Sequence, residues 1–251
     1  MPTPFMHLHI AEMIREQAGE NGRFSSTLSA SWPAFYLGSV AADCQELAGV
    51  SREATHFYSI PPQAGNQAYP RMLAEYPQLA DSKSLLPEQA MFVAAYSVHL
   101  MYDLIWFRDV LIPYFVNAKQ WVAAFEERLM VHQIVLTYLD KLAYDALPET
   151  AVTTLSSAKP NHWLPFISDE VLCQWQDLLV PQLEPAGELE TINVYAERLN
   201  ITPAEFAANL DSSEWMDTHV FQYIPVGGIQ AKMETAVTDS ITLICNYLHI
   251  D

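Results

Sequence analysis

Apolar residues recur at three- and four-residue spacing along most of the chain, the period of an amphipathic helix. Residues around 5–18 read as a first helix. The segment 19–60 reads as irregular, because Trp32, Pro33 and Gly38 interrupt any long run. The stretch 59–80, with Pro61, Pro62, Gly65 and Pro70, reads as a loop with one short helix. Pro87 opens a long helix to about Val110, and Pro113 ends or kinks it. A second long helix is expected from about Ala118 to Ala146, stopping near Pro148. The Ser/Thr/Pro-rich segment 149–166 reads as a connector. Ser168, followed by Asp169 and Glu170, suits the start of a helix to about Val180. Thr202-Pro203-Ala204-Glu205 has the form of a capping box. Gly227-Gly228 precedes a last helix, about 229–248. No period-two strand pattern and no internal repeat is present. The pattern predicts an all-α helical bundle in a single domain, residues 1–251, with long irregular connectors.

Composition narrows what such a bundle can do. A chain of 251 residues can build one sizeable core. Its 51% hydrophobic and 17% charged content excludes a disordered chain. The net charge of −18, from 30 acids against 12 bases, makes nucleic acid a poor partner, because few cations are available to displace phosphate counterions. A phosphoester remains open as a substrate, since bound metal would supply local positive charge. The N-terminus, MPTPFMHLHIAEM, has no basic region followed by a long apolar run, so the expectation is a cytoplasmic protein, or a secreted one if a signal has been removed. The run from Met91 to Leu111 comes nearest to a membrane span, but it carries His99, Asp103, Arg108 and Asp109, and no transmembrane segment is expected. Cys44, Cys173 and Cys245 are far apart and form no Cys-x-x-Cys pair, so neither a thiolate zinc site nor a disulfide framework is indicated.

The chemistry must then come from histidine and carboxylate. His99 and Asp103 are four apart on the long helix and share a face, where an imidazole and a carboxylate can meet one ion. Alone, such a pair is an ordinary helix hydrogen bond. His56 lies in REATHFYS, Asp43 in FYLGSVAAD and His7 in FMHLHIAE. His132, among Val131, Ile134 and Val135, has the surroundings of a core histidine. Trp106 shares the face of His99 and reads first as a core aromatic, second as a wall of the site. Arg108 reads as solvated or ion-paired. His9, on a different helical face from His7, reads as a reserve ligand at best, and His162, His219 and His249 receive no role.

The ordered set MHLHIAE, GSVAAD, EATHFY and AYSVHLMYD resembles the zinc-dependent phospholipase C family, over about residues 5–140. The C-terminal part, about 167–251, is matched only as further helix. The resemblance implies the phospholipase C/P1 nuclease fold and a cluster of up to three zinc ions. Asp43, His56, His99 and Asp103 would form the first site, with Asp43 a mixed ligand and base. His7 would belong to a second, bridged by Asp103 and completed in secreted members by the N-terminal amine and carbonyl. The third would take His132, but Asp109 stands where one of its histidines is expected. Leu136 stands where an acid is expected, with Asp140 the next acid along. The implied activity is hydrolysis of a small-molecule or lipid phosphodiester. A zinc-binding protein without turnover and a nuclease-like phosphodiesterase are the alternatives. The oligomeric state is not legible.

Overall fold

The computed structural model describes residues 1–19, 22–63, 65, 67–118, 121, 123–184 and 190–250. Among them there is no strand. The α-helices are α1 (Pro4–Ala18), α2 (Gly22–Ala30), α3 (Trp32–Gly38), α4 (Gln45–Ala48), α5 (Arg52–His56), α6 (Ala68–Glu75), α7 (Pro87–Trp106) and α8 (Phe125–Asp145), followed by α9 (Ala151–Ser157), α10 (Asp169–Leu179), α11 (Glu190–Leu199), α12 (Pro203–Asp211), α13 (Ser213–Met216) and α14 (Val226–Leu248). The all-α expectation is met.

Helix α7 is the axis of the fold. It is apolar nearly all round, and from Ala90 to Leu100 every residue is buried, which is the signature of a helix enclosed by others. With the helical turns that continue it to Val116, it is the one described helix apolar and long enough to cross a bilayer, yet 83% of its apolar window lies inside the protein. Helices α3, α6 and α14 pack against it, and α1 packs against α8 and α14. Small residues let α3 come close. A Cβ on Gly38 would strike the Phe92 carbonyl oxygen and lie 2.9 Å from the Ala95 Cβ. Gly38→Ala is therefore expected to cost about 1–3 kcal/mol by overpacking, read as a lower denaturation midpoint in urea.

The segment 19–60 departs from its irregular reading, since it holds α2, α3, α4, α5 and a 3₁₀ turn, Ala41–Cys44. Pro33 sits in the first turn of α3, where its missing N–H costs nothing. Proline that looked like an interruption is thus a start signal. Pro113 does not end its helix either. The chain widens into a π-helix, Phe107–Val116, which carries Pro113 inside it. The widened i→i+5 pattern relieves the clash that proline makes with the i−4 carbonyl of an α-helix. The connector 149–166 contains α9, and both Gly227 and Gly228 lie inside α14. Helix α8 begins at Phe125 rather than near Ala118, where 119, 120 and 122 lie outside the described residues. The two cap readings hold: Ser168 accepts from the Val171 amide, and Thr202 and Glu205 form the reciprocal box.

Asp140 does reach inward, but to the start of α1. Its carboxylate accepts the hydroxyls of Thr3 and Thr191 and the amides of Phe5 and Met6, donors that the first turn of a helix leaves unpaired. A residue of α8 thus caps α1, the helix that carries His7. Burial pushes Asp140 up from 3.8 to about 6, against the opposing pull of those hydrogen bonds. Its contribution to stability is therefore fully present below about pH 3.8 and lost as pH rises through 6. Asp140→Asn, which keeps an acceptor, should remove this slope in melts taken from pH 4 to 7. Asp140→Ala should cost about 1–2 kcal/mol at pH 4, the usual scale of a lost cap, and less at pH 7.

Candidate metal centre

Five side chains converge beside α7. His7 comes from the start of α1, Asp43 from the 3₁₀ turn after α3, His56 from the last residue of α5, His99 from the second half of α7 and Asp103 from its last turn. The local sequence explains each placement. The close approach at Gly38 delivers Ser39 and the turn carrying Asp43 to the flank of α7. The Val40 carbonyl is held by the Trp175 indole N–H at 2.9 Å. After His56 the chain turns sharply, with Phe57 in the left-handed region at φ 58°. A bulky residue rarely adopts that conformation. Here its ring is anchored edge-on to Phe166 and Tyr76, at 5.2 and 6.1 Å between centroids. The Tyr96 hydroxyl donates to the Thr55 carbonyl at 2.7 Å, tying α5 to α7.

His56 Nε2 lies 3.3 Å from Asp43 Oδ1 and 3.4 Å from Asp103 Oδ2. His99 Nε2 is 3.9 Å from each of the same two oxygens. His7 Nε2 is 3.6 Å from Asp103 Oδ1, and its ring stacks on that of His99 at 3.8 Å. Two overlapping triads result, His7–His99–Asp103 and Asp43–His56–His99, each with donor atoms within 4.8 Å of one another. Donors held about 2.0–2.1 Å from a tetrahedral ion would stand about 3.3 Å apart. The observed spacing is that of an ion cage, a little relaxed. Asp103 divides its oxygens, Oδ1 towards His7 and Oδ2 towards His56 and His99, as a bridging carboxylate would.

Hydrogen bonds on the far side of the rings decide where the protons are. His99 Nδ1 is 2.8 Å from the Ser39 carbonyl, which can only accept, so Nδ1 carries the hydrogen. His56 Nδ1 faces the Arg52 carbonyl at 3.2 Å and the Thr55 hydroxyl at 2.8 Å. That hydroxyl itself donates to the Arg52 carbonyl, so it accepts from His56. In both rings Nε2 is then a bare lone pair aimed at anionic oxygen. Nε2 of His7, His56 and His99 and Oδ1 of Asp103 are all buried without a hydrogen-bond partner. Lone pairs facing carboxylates in a buried site repel one another, and a cation between them removes the repulsion.

Ionisation agrees. Burial lowers His7 to about 4 and likewise lowers His56. Burial alone would raise both aspartates. The histidines outweigh it for Asp43, bringing it down to about 2. His7, His99, Arg52 and His56 hold Asp103 well below the usual carboxylate range. The neutral imidazoles that this favours at His7 and His56, and the charged carboxylates of Asp43 and Asp103, are the forms that bind metal.

Two groups at the cluster carry no signal strong enough to single them out in the sequence. Arg52 Nη2 donates to Asp103 Oδ2, and the Tyr58 hydroxyl donates to the same oxygen at 3.0 Å. Both sit inside the REATHFYS stretch. Arg52 lies one helical turn before His56, a spacing that places the two on one face.

The structure does not bring His132 to this cluster. Its Nε2 accepts the Trp106 indole N–H at 3.0 Å, and its ring packs on Phe115 at 4.8 Å between centroids. It is the core histidine its apolar neighbours suggested, and Trp106 is its fully buried partner rather than a wall of the site. Asp109 is paired with Arg108 by two hydrogen bonds at 2.9 and 2.7 Å, on the outside of the π-helix. Comparison with protein-family models, curated proteins and solved structures returns no match. The geometry defines a His/Asp group able to hold a metal ion.

Proposed function

We propose that this chain is a zinc-dependent phosphoesterase, phospholipase C-like in its ligand set. The observation that carries the proposal is the convergence of three unpartnered imidazole Nε2 atoms on the carboxylates of Asp43 and Asp103. A set of neutral imidazoles and carboxylates, without thiolate, favours zinc among the common divalent ions. The resemblance of the ordered motifs supplies the reaction class. Zinc bound here would polarise a phosphoryl oxygen and lower the pKa of bound water towards neutral.

The chain's own groups perform the rest. His56, His99, Asp43 and Asp103 hold the first ion, and His7 with Asp103 Oδ1 offers a second position. Asp43 has 20% of its side chain exposed, so water can reach it. It can orient an incoming water and accept its proton. Because its neighbours hold it near 2, ligation is the stronger of its two roles. Asp43 and Arg52 are both partly exposed, so the centre is not wholly enclosed, which favours turnover over a closed structural zinc site.

The test uses protein stripped with chelator and reloaded with zinc. It is assayed on a chromogenic choline phosphodiester, a panel of lipid headgroups and single-stranded DNA. Zinc-dependent hydrolysis of the phosphodiester is expected. Cleavage of DNA alone would replace the phospholipase-like reading with the nuclease-like one. Stoichiometric zinc without hydrolysis of any substrate would leave a binding protein.

A further inference from the structure

The guanidinium of Arg52 is engaged in a way that only half uses it. Nη2 donates to Asp103 Oδ2, and the guanidinium carbon lies 5.0 Å from the centre of the Tyr58 ring. Nη1 is buried and has no hydrogen-bond partner. One quarter of the side chain is nevertheless exposed, and Asp43 is partly exposed as well. Among the described residues Arg52 is the one Lys or Arg ion-paired with the cluster. That is notable in a chain carrying 30 acids against 12 bases.

Charge arithmetic shows what changes when the centre is filled. Asp43 and Asp103 carry two negative charges, and in the metal-free protein Arg52 is their fixed cationic partner. A dication held there would offset both charges and compete with Arg52 for Asp103. The guanidinium would then be surplus positive charge beside the centre, with a forked set of N–H donors and fewer acceptors. The complement of that fork is a tetrahedral oxyanion.

We infer that Arg52 is the anion-recognition residue of this centre: it substitutes for metal on Asp103 in the empty site and binds a phosphoryl oxygen of the substrate in the filled one. The inference rests on the phosphoesterase reading and assigns it a substrate-binding group. It also makes Arg52 a competitor of the metal, so its removal should strengthen zinc binding while weakening phosphate binding. A residue that merely props the site open would weaken both. The backbone carbonyl of Arg52, which orients His56, is kept in any side-chain variant.

The experiment compares wild-type, Arg52→Ala and Arg52→Lys proteins, with folding verified by circular dichroism. Zinc is titrated first, then inorganic phosphate, glycerophosphocholine and phosphatidylcholine vesicles are each titrated into zinc-loaded protein. The expected result is wild-type zinc stoichiometry with equal or tighter affinity in Arg52→Ala. Phosphate and glycerophosphocholine affinity should fall at least tenfold, and Arg52→Lys should fall between. Undiminished phosphate affinity in zinc-loaded Arg52→Ala would overturn the inference and leave the metal centre standing. So would loss of zinc from the variant, or a loss of binding confined to vesicles. Failure of the wild-type protein to take up zinc is a separate outcome, and it would sink the metal reading together with the inference.

Discussion

Replacing Asp103 with alanine is expected to abolish metal uptake and to destabilise the metal-free fold by about 3–5 kcal/mol, the cost of breaking a buried ion pair from one side. The carboxylate is fully buried and is the partner of Arg52 and Tyr58 as well as of three histidines. Without it the guanidinium loses its hydrogen-bonded counter-charge and keeps only the more weakly coupled Asp43. Asp103→Asn separates the two effects. The amide keeps the shape and an oxygen for Tyr58, so most of the stability should survive. One negative charge and the bridging carboxylate are lost, so zinc affinity should still collapse. Chemical denaturation of metal-free protein and zinc titration, run on both variants, check the two halves independently.

The second large effect is expected at His99. Its Nε2 belongs to both triads, and its Nδ1 is fixed by the Ser39 carbonyl. Disturbing a partner that only orients a metal ligand costs about 10–100-fold in affinity. Removing the ligand itself, as in His99→Ala, should therefore cost more than about 100-fold. His132→Ala provides the contrast. That histidine contacts Trp106 and Phe115, so its loss should lower the melting temperature and leave zinc content unchanged. Zinc content by atomic emission, measured on reloaded protein, distinguishes the two. Equal zinc in wild-type and His99→Ala protein would remove His99 from the centre.

Much of the site was legible because its parts announce themselves through chemistry rather than through fold. His99 and Asp103 share a helical face by spacing alone. His7, Asp43 and His56 were named by their place in an ordered set of short motifs. The structure brings all five together, and the long apolar helix that carries two of them was clear from its period and from Pro87. What the sequence hid is of two kinds. One is the helical content of 19–60, where α3, α4 and α5 are too short for a periodic signal and Pro33 reads as a breaker until its first-turn position is known. The other is tertiary. Nothing in the sequence says that Trp106 and His132 satisfy each other, that Asp140 caps a helix whose start lies 137 residues away, or that Arg52 lies against Asp103. Those contacts follow from how closely α3 and α1 approach α7 and α8, which is a matter of small residues and packing.

The most direct test of the central claim is an anomalous difference map at the zinc edge, from crystals of zinc-loaded protein. A peak is predicted within about 2.0–2.2 Å of His56 Nε2, His99 Nε2 and oxygens of Asp43 and Asp103. A second peak beyond Asp103 Oδ1, towards His7, would mark a two-ion centre. Well-ordered side chains at these positions with no peak among them, or a peak bound elsewhere, would contradict the account.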